Sequence, residues 1–162
     1  MRERVRWRGA CTLSRARTGE RGAAAVEFAL VLPILLLLVF GIIGYGYMLS
    51  FRQGISQAAA EGARAAAVSQ TDADRVTKAR AAVNESLDSY GVTCSGTALV
   101  KGATTVGSCA IGVATCAGEA ASVRCVTVTL NYSYRANPLV PVPGIGIVLP
   151  QQLRYSSVAR VS

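Results

Sequence analysis

The sequence predicts an α+β protein: a long N-terminal transmembrane helix continuing outside the membrane, a second short helix, and a small antiparallel β-sheet of three or four strands stapled by disulfides. Three observations predict this class. Between Phe28 and Phe51 lie 24 residues without a charge, which at about 1.5 Å of rise each cover roughly 36 Å, enough to cross a bilayer with some tilt. From Val92 onward the helical period vanishes, and Gly, Ser, Thr and Val take over. Four cysteines, Cys94, Cys109, Cys116 and Cys125, fall in that second part. The expected organisation is a basic leader over residues 1–22, a helix over 23–68 with its membrane span at about 28–51, and a head over 69–162.

The net charge of +8 belongs mostly to the leader. Residues 1–22 hold seven arginines, Arg2, Arg4, Arg6, Arg8, Arg15, Arg17 and Arg21, against two glutamates, while the remaining 140 residues are net +3. A basic segment directly before an apolar helix follows the positive-inside rule, which puts the N-terminus in the cytoplasm and the C-terminal part outside. The location expected is the cell membrane, crossed once. A nucleic-acid arm is not needed to explain this charge. A cleaved secretory signal would have an apolar run of roughly 7–15 residues, so this longer segment is expected to act as an anchor.

Within the first helix Pro33 removes one backbone hydrogen bond and is expected to kink or loosen the segment around 29–33. Past Phe51, residues 52–68 are rich in Ala, Gln, Glu and Arg, so the helix is expected to continue outside the membrane. Gly46, Ser50, Gly54, Ala58, Gly62 and Ala66 recur at every fourth position. Such a ridge with little side-chain bulk lets a second helix approach closely. Residues 69–71 break the helix, and Asp72 is placed to cap a second one with Arg75, Val76, Ala79, Val83 and Leu87 on one face, stopping near Tyr90-Gly91. Residues 92–100 read as a strand. The strongest strand is 124–134, with Val126, Val128, Leu130, Tyr132 and Tyr134 sharing a face. Four of the five prolines mark 137–150 as a long loop, and 152–161 is the last strand, with Leu153, Tyr155, Ser157, Ala159 and Val161 on one side.

An even number of cysteines in an exported segment suggests two disulfides. If 92–100 pairs with 122–134, Cys94 joins Cys125 and Cys109 joins Cys116, though three pairings are open. The gaps between these cysteines do not form the short knuckles of a thiolate zinc site. The chain has no histidine, which removes Ser-His and Cys-His catalysis and the commonest metal ligand. The acids Asp72, Asp74, Glu85, Asp88 and Glu119 are scattered, and no glycine-rich phosphate loop occurs. No enzyme activity, cofactor, metal or small-molecule substrate is expected.

The edge where leader meets helix carries the sharpest signal. Arg21-Gly22 is followed by four small or apolar residues, Ala23 to Val26, and then by a lone acid, Glu27, and Phe28. A carboxylate at the centre of the hydrocarbon costs on the order of 3 kcal/mol, so Glu27 should have a partner. Cleavage before Ala23 would create one, a protonated α-amino group four residues away on the same helical face. In an assembly that amine could belong to a neighbouring subunit.

The run RGAAAVEFALVLPILLLLVFGII, followed by QAAAEGARAAAV and a closing valine-threonine strand, resembles the TadE-like family, pseudopilin-like proteins of tight-adherence (Flp-type) pilus systems. The resemblance implies a prepilin-type site with Gly22 before the cut, Glu27 at the fifth mature position and an aromatic, Phe28, at the sixth. It implies cleavage between Gly22 and Ala23 by a membrane aspartyl prepilin peptidase, with Glu27 setting helix register on assembly. The expected partners are that peptidase, the membrane, and other pilin or pseudopilin subunits and pilus assembly proteins. The function expected is that of a non-catalytic minor pilin or pseudopilin carried into a tight-adherence pilus or related secretion apparatus. The alternative is an uncleaved, single-pass anchored protein whose head binds an extracytoplasmic partner.

Overall fold

The computed structural model describes residues 18–141 and 148–161, with side chains in the first helix from Gly22 onward. Cys11 and the leader arginines before Thr18 lie outside that description, as does the side chain of Arg21. The chain divides into two units, one ending at Leu38 and one running from Val39 to the C-terminus. Helix α1, Thr18–Ala67, contributes to both and is continuous through Pro33. It starts at Thr18, so residues 18–22 extend the helix where an irregular leader was expected.

In the first unit the apolar side chains of α1 are uncovered. Leu30 and Ile34 are each 70 % exposed. A helix that is apolar on every side is stable in lipid and a liability in water. Residues 22–67 form one helix long and apolar enough to cross a membrane.

The second unit contains the rest of α1, helix α2 and a five-stranded sheet. After α1, Ser69 Oγ donates to the Ala65 carbonyl at 3.2 Å, which closes the last turn. Helix α2, Asp72–Leu87, is capped by Thr71 rather than by Asp72: Thr71 has extended backbone angles, and its hydroxyl accepts from the Asp74 amide at 3.2 Å. Asp72 is thereby left to bind Arg75 at 2.7 Å and Arg124 at 3.1 Å. Of the expected inner face, Arg75, Ala79, Val83 and Leu87 are buried and Val76, at its edge, is half-buried. A 3-10 turn over Asp88–Tyr90 leads to Gly91, whose φ of 64° suits glycine and whose amide donates to Asp88 at 2.8 Å.

The sheet is an antiparallel meander in chain order: β1 Val92–Ser95, β2 Ala98–Lys101, β3 Thr104–Thr115, β4 Arg124–Tyr132 and β5 Leu153–Val161. Two differences raise the strand number to five. The stretch read as one strand over 92–100 is a hairpin, turning at Gly96. The stretch between the expected strands 92–100 and 122–134, read as a loop closed by Cys109 and Cys116, holds β3, the strand that separates β2 from β4. Cys109 lies within β3, and Cys116 just beyond the end of the same strand, so the two cannot meet. The disulfides are instead Cys94–Cys109 and Cys116–Cys125, with Cα separations of 5.8 and 5.0 Å. In β3 the backbone of Gly107 passes so close to β4 that an added Cβ would stand 2.0 Å from the Asn131 carbonyl oxygen.

One face of the sheet carries the core. Val126, Val128, Leu130 and Tyr132 of β4 are fully buried together with Tyr134 just past the strand, as their alternation predicts. They pack with Val83 and Leu87 of α2 and with Phe51, Ile55, Ala58 and Ala59 of α1. The opposite face is polar, with a 2.9 Å bond between the Thr129 and Ser156 hydroxyls.

Candidate functional site

The residues expected at the processing edge lie in the exposed first part of α1. Gly22, Ala23, Glu27 and Phe28 are all exposed, and nothing lies within 4 Å of the place a Cβ would take on Gly22. Glu27 sits between Val26 and Phe28, which are 61 % and 62 % exposed. Gly22 has helical backbone. A protease that takes an extended strand must therefore unwind the turn around it. Glycine costs a helix about 1 kcal/mol relative to alanine, which makes this a position of low resistance to unwinding. Ala23 and Glu27 are one helical turn apart, so an amine generated at Ala23 would lie on the same face as the carboxylate.

The small-residue ridge divides in two. Gly46 and Ser50 are exposed, whereas Gly54, Ala58, Gly62 and Ala66 are buried by the protein's own head. A Cβ on Gly54 would stand 2.7 Å from the Tyr90 ring, and one on Gly62 would stand 2.8 Å from a Val83 methyl and 3.2 Å from the Ala79 carbonyl oxygen. The outer four positions therefore let α2 and the sheet approach α1. The free part of the ridge ends at Ser50, where Tyr90 Oη donates to the Ser50 carbonyl at 3.2 Å.

Phe51, read as the last residue of the membrane span, is a core residue. It is 0 % exposed, with its ring centroid 4.9 Å from that of Tyr90 and 4.7 Å from that of Tyr132. Met48 is buried beside it. Cover by the head thus begins inside the expected span of 28–51, at Met48 and Phe51. The signal was present in the sequence: Met48, Phe51, Ile55, Ala58, Ala59, Gly62 and Ala66 keep the spacing of one helical stripe, but the uncharged run masks where that stripe starts.

Burial against this aromatic cluster pushes the Tyr132 phenol up to about 12, and burial also raises Tyr134. The Tyr132 hydroxyl donates to the Asn137 carbonyl at 2.9 Å, which holds the chain after β4 against the core. Sequence reasoning also missed the contact between Arg52 and Tyr155. The Arg52 Nε donates to the Tyr155 hydroxyl, and its guanidinium lies 6.0 Å from the centre of that ring. Among the described residues, no three His, Cys, Asp or Glu side chains gather as metal ligands would.

Residues 22–64 match the family model for TadE-like protein. The match begins at Gly22, the glycine expected before the cut, and ends in the distal part of α1, so the sheet lies outside it. No curated protein and no solved structure matches the chain.

Proposed function

We propose that this chain is a non-catalytic pseudopilin or minor pilin of a tight-adherence pilus or related secretion apparatus. In this reading a prepilin peptidase cuts between Gly22 and Ala23 at the cytoplasmic face. The mature helix then stays in the membrane, its own new amine one turn from Glu27, until a neighbouring subunit's amine pairs with that carboxylate on assembly. The observation that carries the reading is the combination of Gly22, Glu27 and Phe28 at prepilin spacing on the exposed, apolar first part of α1, in a segment matching TadE-like protein. A lone carboxylate on such a helix is costly in lipid unless it has a role there.

The head would then be the exposed part, folded around the distal half of the same helix. Its core and disulfides give it a fixed shape and suit a contact role rather than a reaction. The test is complementation of a strain lacking this protein with Glu27→Ala. The expected result is normal expression and membrane insertion, but pilus or secretion assembly reduced at least tenfold. Assembly at the wild-type level would remove the register role of Glu27.

A further inference from the structure

We propose that the cleft walled by Arg52 and Tyr155 binds the phosphate of an anionic lipid headgroup at the extracytoplasmic edge of the membrane. Two adjoining depressions share these residues. The larger, about 630 Å³, is lined by Leu49, Arg52, Gln53, Ser56, Gln57 and Tyr155. The smaller, about 240 Å³, adds Arg154 and Gln152 from the β5 side. Two arginines from distant parts of the chain therefore border one concave surface.

The charges there have no acid to satisfy them. Neither Arg52 nor Arg154 joins an ion pair among the described residues. No Asp or Glu occurs in residues 28–60 or 136–162, which supply both walls. Arg52 is held by one donor, Nε, on the Tyr155 hydroxyl. Its terminal nitrogens remain available, and a guanidinium presents them in the geometry that phosphate oxygens accept.

Position selects the source of the phosphate. Arg52 is the first charge after the apolar run, and exposed Tyr45 and Tyr47 precede it by one to two turns. Tyrosines at that point match the aromatic belt at headgroup level. Leu49 on the wall continues the apolar surface of α1 toward the acyl region. A phosphodiester with acyl chains fits this sequence of surfaces better than a free anion does.

The inference rests on the membrane-anchored reading and is tested with the full chain in nonionic detergent micelles. Short-chain phosphatidylglycerol, short-chain phosphatidylcholine and inorganic phosphate are titrated by calorimetry. Each arginine near an anionic surface contributes about fivefold in affinity. Phosphatidylglycerol should therefore bind about 25-fold more tightly than phosphatidylcholine. Arg154→Gln, which removes no ion pair, should lose about fivefold, and the double variant with Arg52→Gln should lose the preference. Equal affinity for the two lipids, a preference that survives in the double variant, or inorganic phosphate binding as tightly as phosphatidylglycerol would each overturn the proposal. Flotation with neutral vesicles separates the two readings. A chain that floats without discriminating headgroups loses this site alone, and one that does not float loses the anchor as well.

Discussion

The uncovered and covered stretches of α1 share one small-residue repeat, Gly46 to Ala66, and put it to different uses. Around Gly46 a side chain would meet open space, whereas Gly54 and Gly62 have Tyr90 and Val83 pressed against them. Likewise Phe40 is 49 % exposed, and Phe51, eleven residues on in the same helix, is completely covered. Composition changes across this divide, from an uncharged run rich in Leu, Ile and Val to residues 52–67 rich in Ala, Gln and Arg, but the small-residue spacing is common to both sides. A small residue in an uncovered helix is free to receive another helix. The same residue under a sheet has already been used to fold its own chain.

Substitutions at paired positions test this contrast. The largest difference is expected between the two phenylalanines. Phe51→Ala should destabilise the head by about 3–5 kcal/mol, because it removes the ring around which Tyr90, Tyr132 and Tyr134 gather. Phe40→Ala should leave head stability unchanged, as read from urea unfolding of the full chain in detergent. Similar losses for both would mean that the covered and uncovered halves do not differ as described.

A smaller difference is expected between the glycines. Gly62→Val forces a branched side chain against Val83 and the Ala79 carbonyl and should cost about 1–3 kcal/mol. Gly46→Val meets nothing and should change head stability by less than about 0.5 kcal/mol. If Gly46→Val blocks assembly while the head stays folded, the free part of the ridge is the part that meets other subunits.

The smallest effect is the pH dependence. Tyr132 is neutral in the folded head and resists ionisation until about pH 12, against 10 when unfolded. A folded-state value raised above the unfolded one gives stability that is complete below pH 10 and lost as pH rises toward 12. Chemical denaturation across that window should show the loss, and Tyr132→Phe should flatten it. An unchanged slope in the variant would assign the alkaline sensitivity to other groups.

Much of this arrangement was legible in the residues because it follows simple periods. Twenty-four uncharged residues announce α1, and the stripe Arg75, Ala79, Val83, Leu87 announces α2. Strict alternation from Val126 to Tyr134 gives the buried face of β4. β3 escaped because its alternation is broken. The register between β2 and β3 shifts at Leu99/Val100, so buried Val106 and buried Cys109 fall three residues apart, and period two fails there. The disulfide pairing failed for the same reason, since it assumed that Cys109 and Cys116 faced each other across a loop. The cap of α2 went to Thr71 because Asp72 has two arginines to hold. The boundary between uncovered and head-facing helix was hidden, because both surfaces are apolar and only the packed structure separates them.

The expected processing edge needed no fold to be seen, since Gly22, Glu27 and Phe28 lie within seven residues of one another and are exposed in the helix. The most direct measurement is the N-terminal sequence and intact mass of the protein taken from its native membrane. A chain beginning at Ala23 is the predicted result, with its new amine one turn from Glu27. A chain that still carries Met1 and the arginine-rich leader would contradict prepilin-type processing and leave a single-pass anchor with a disulfide-bonded head.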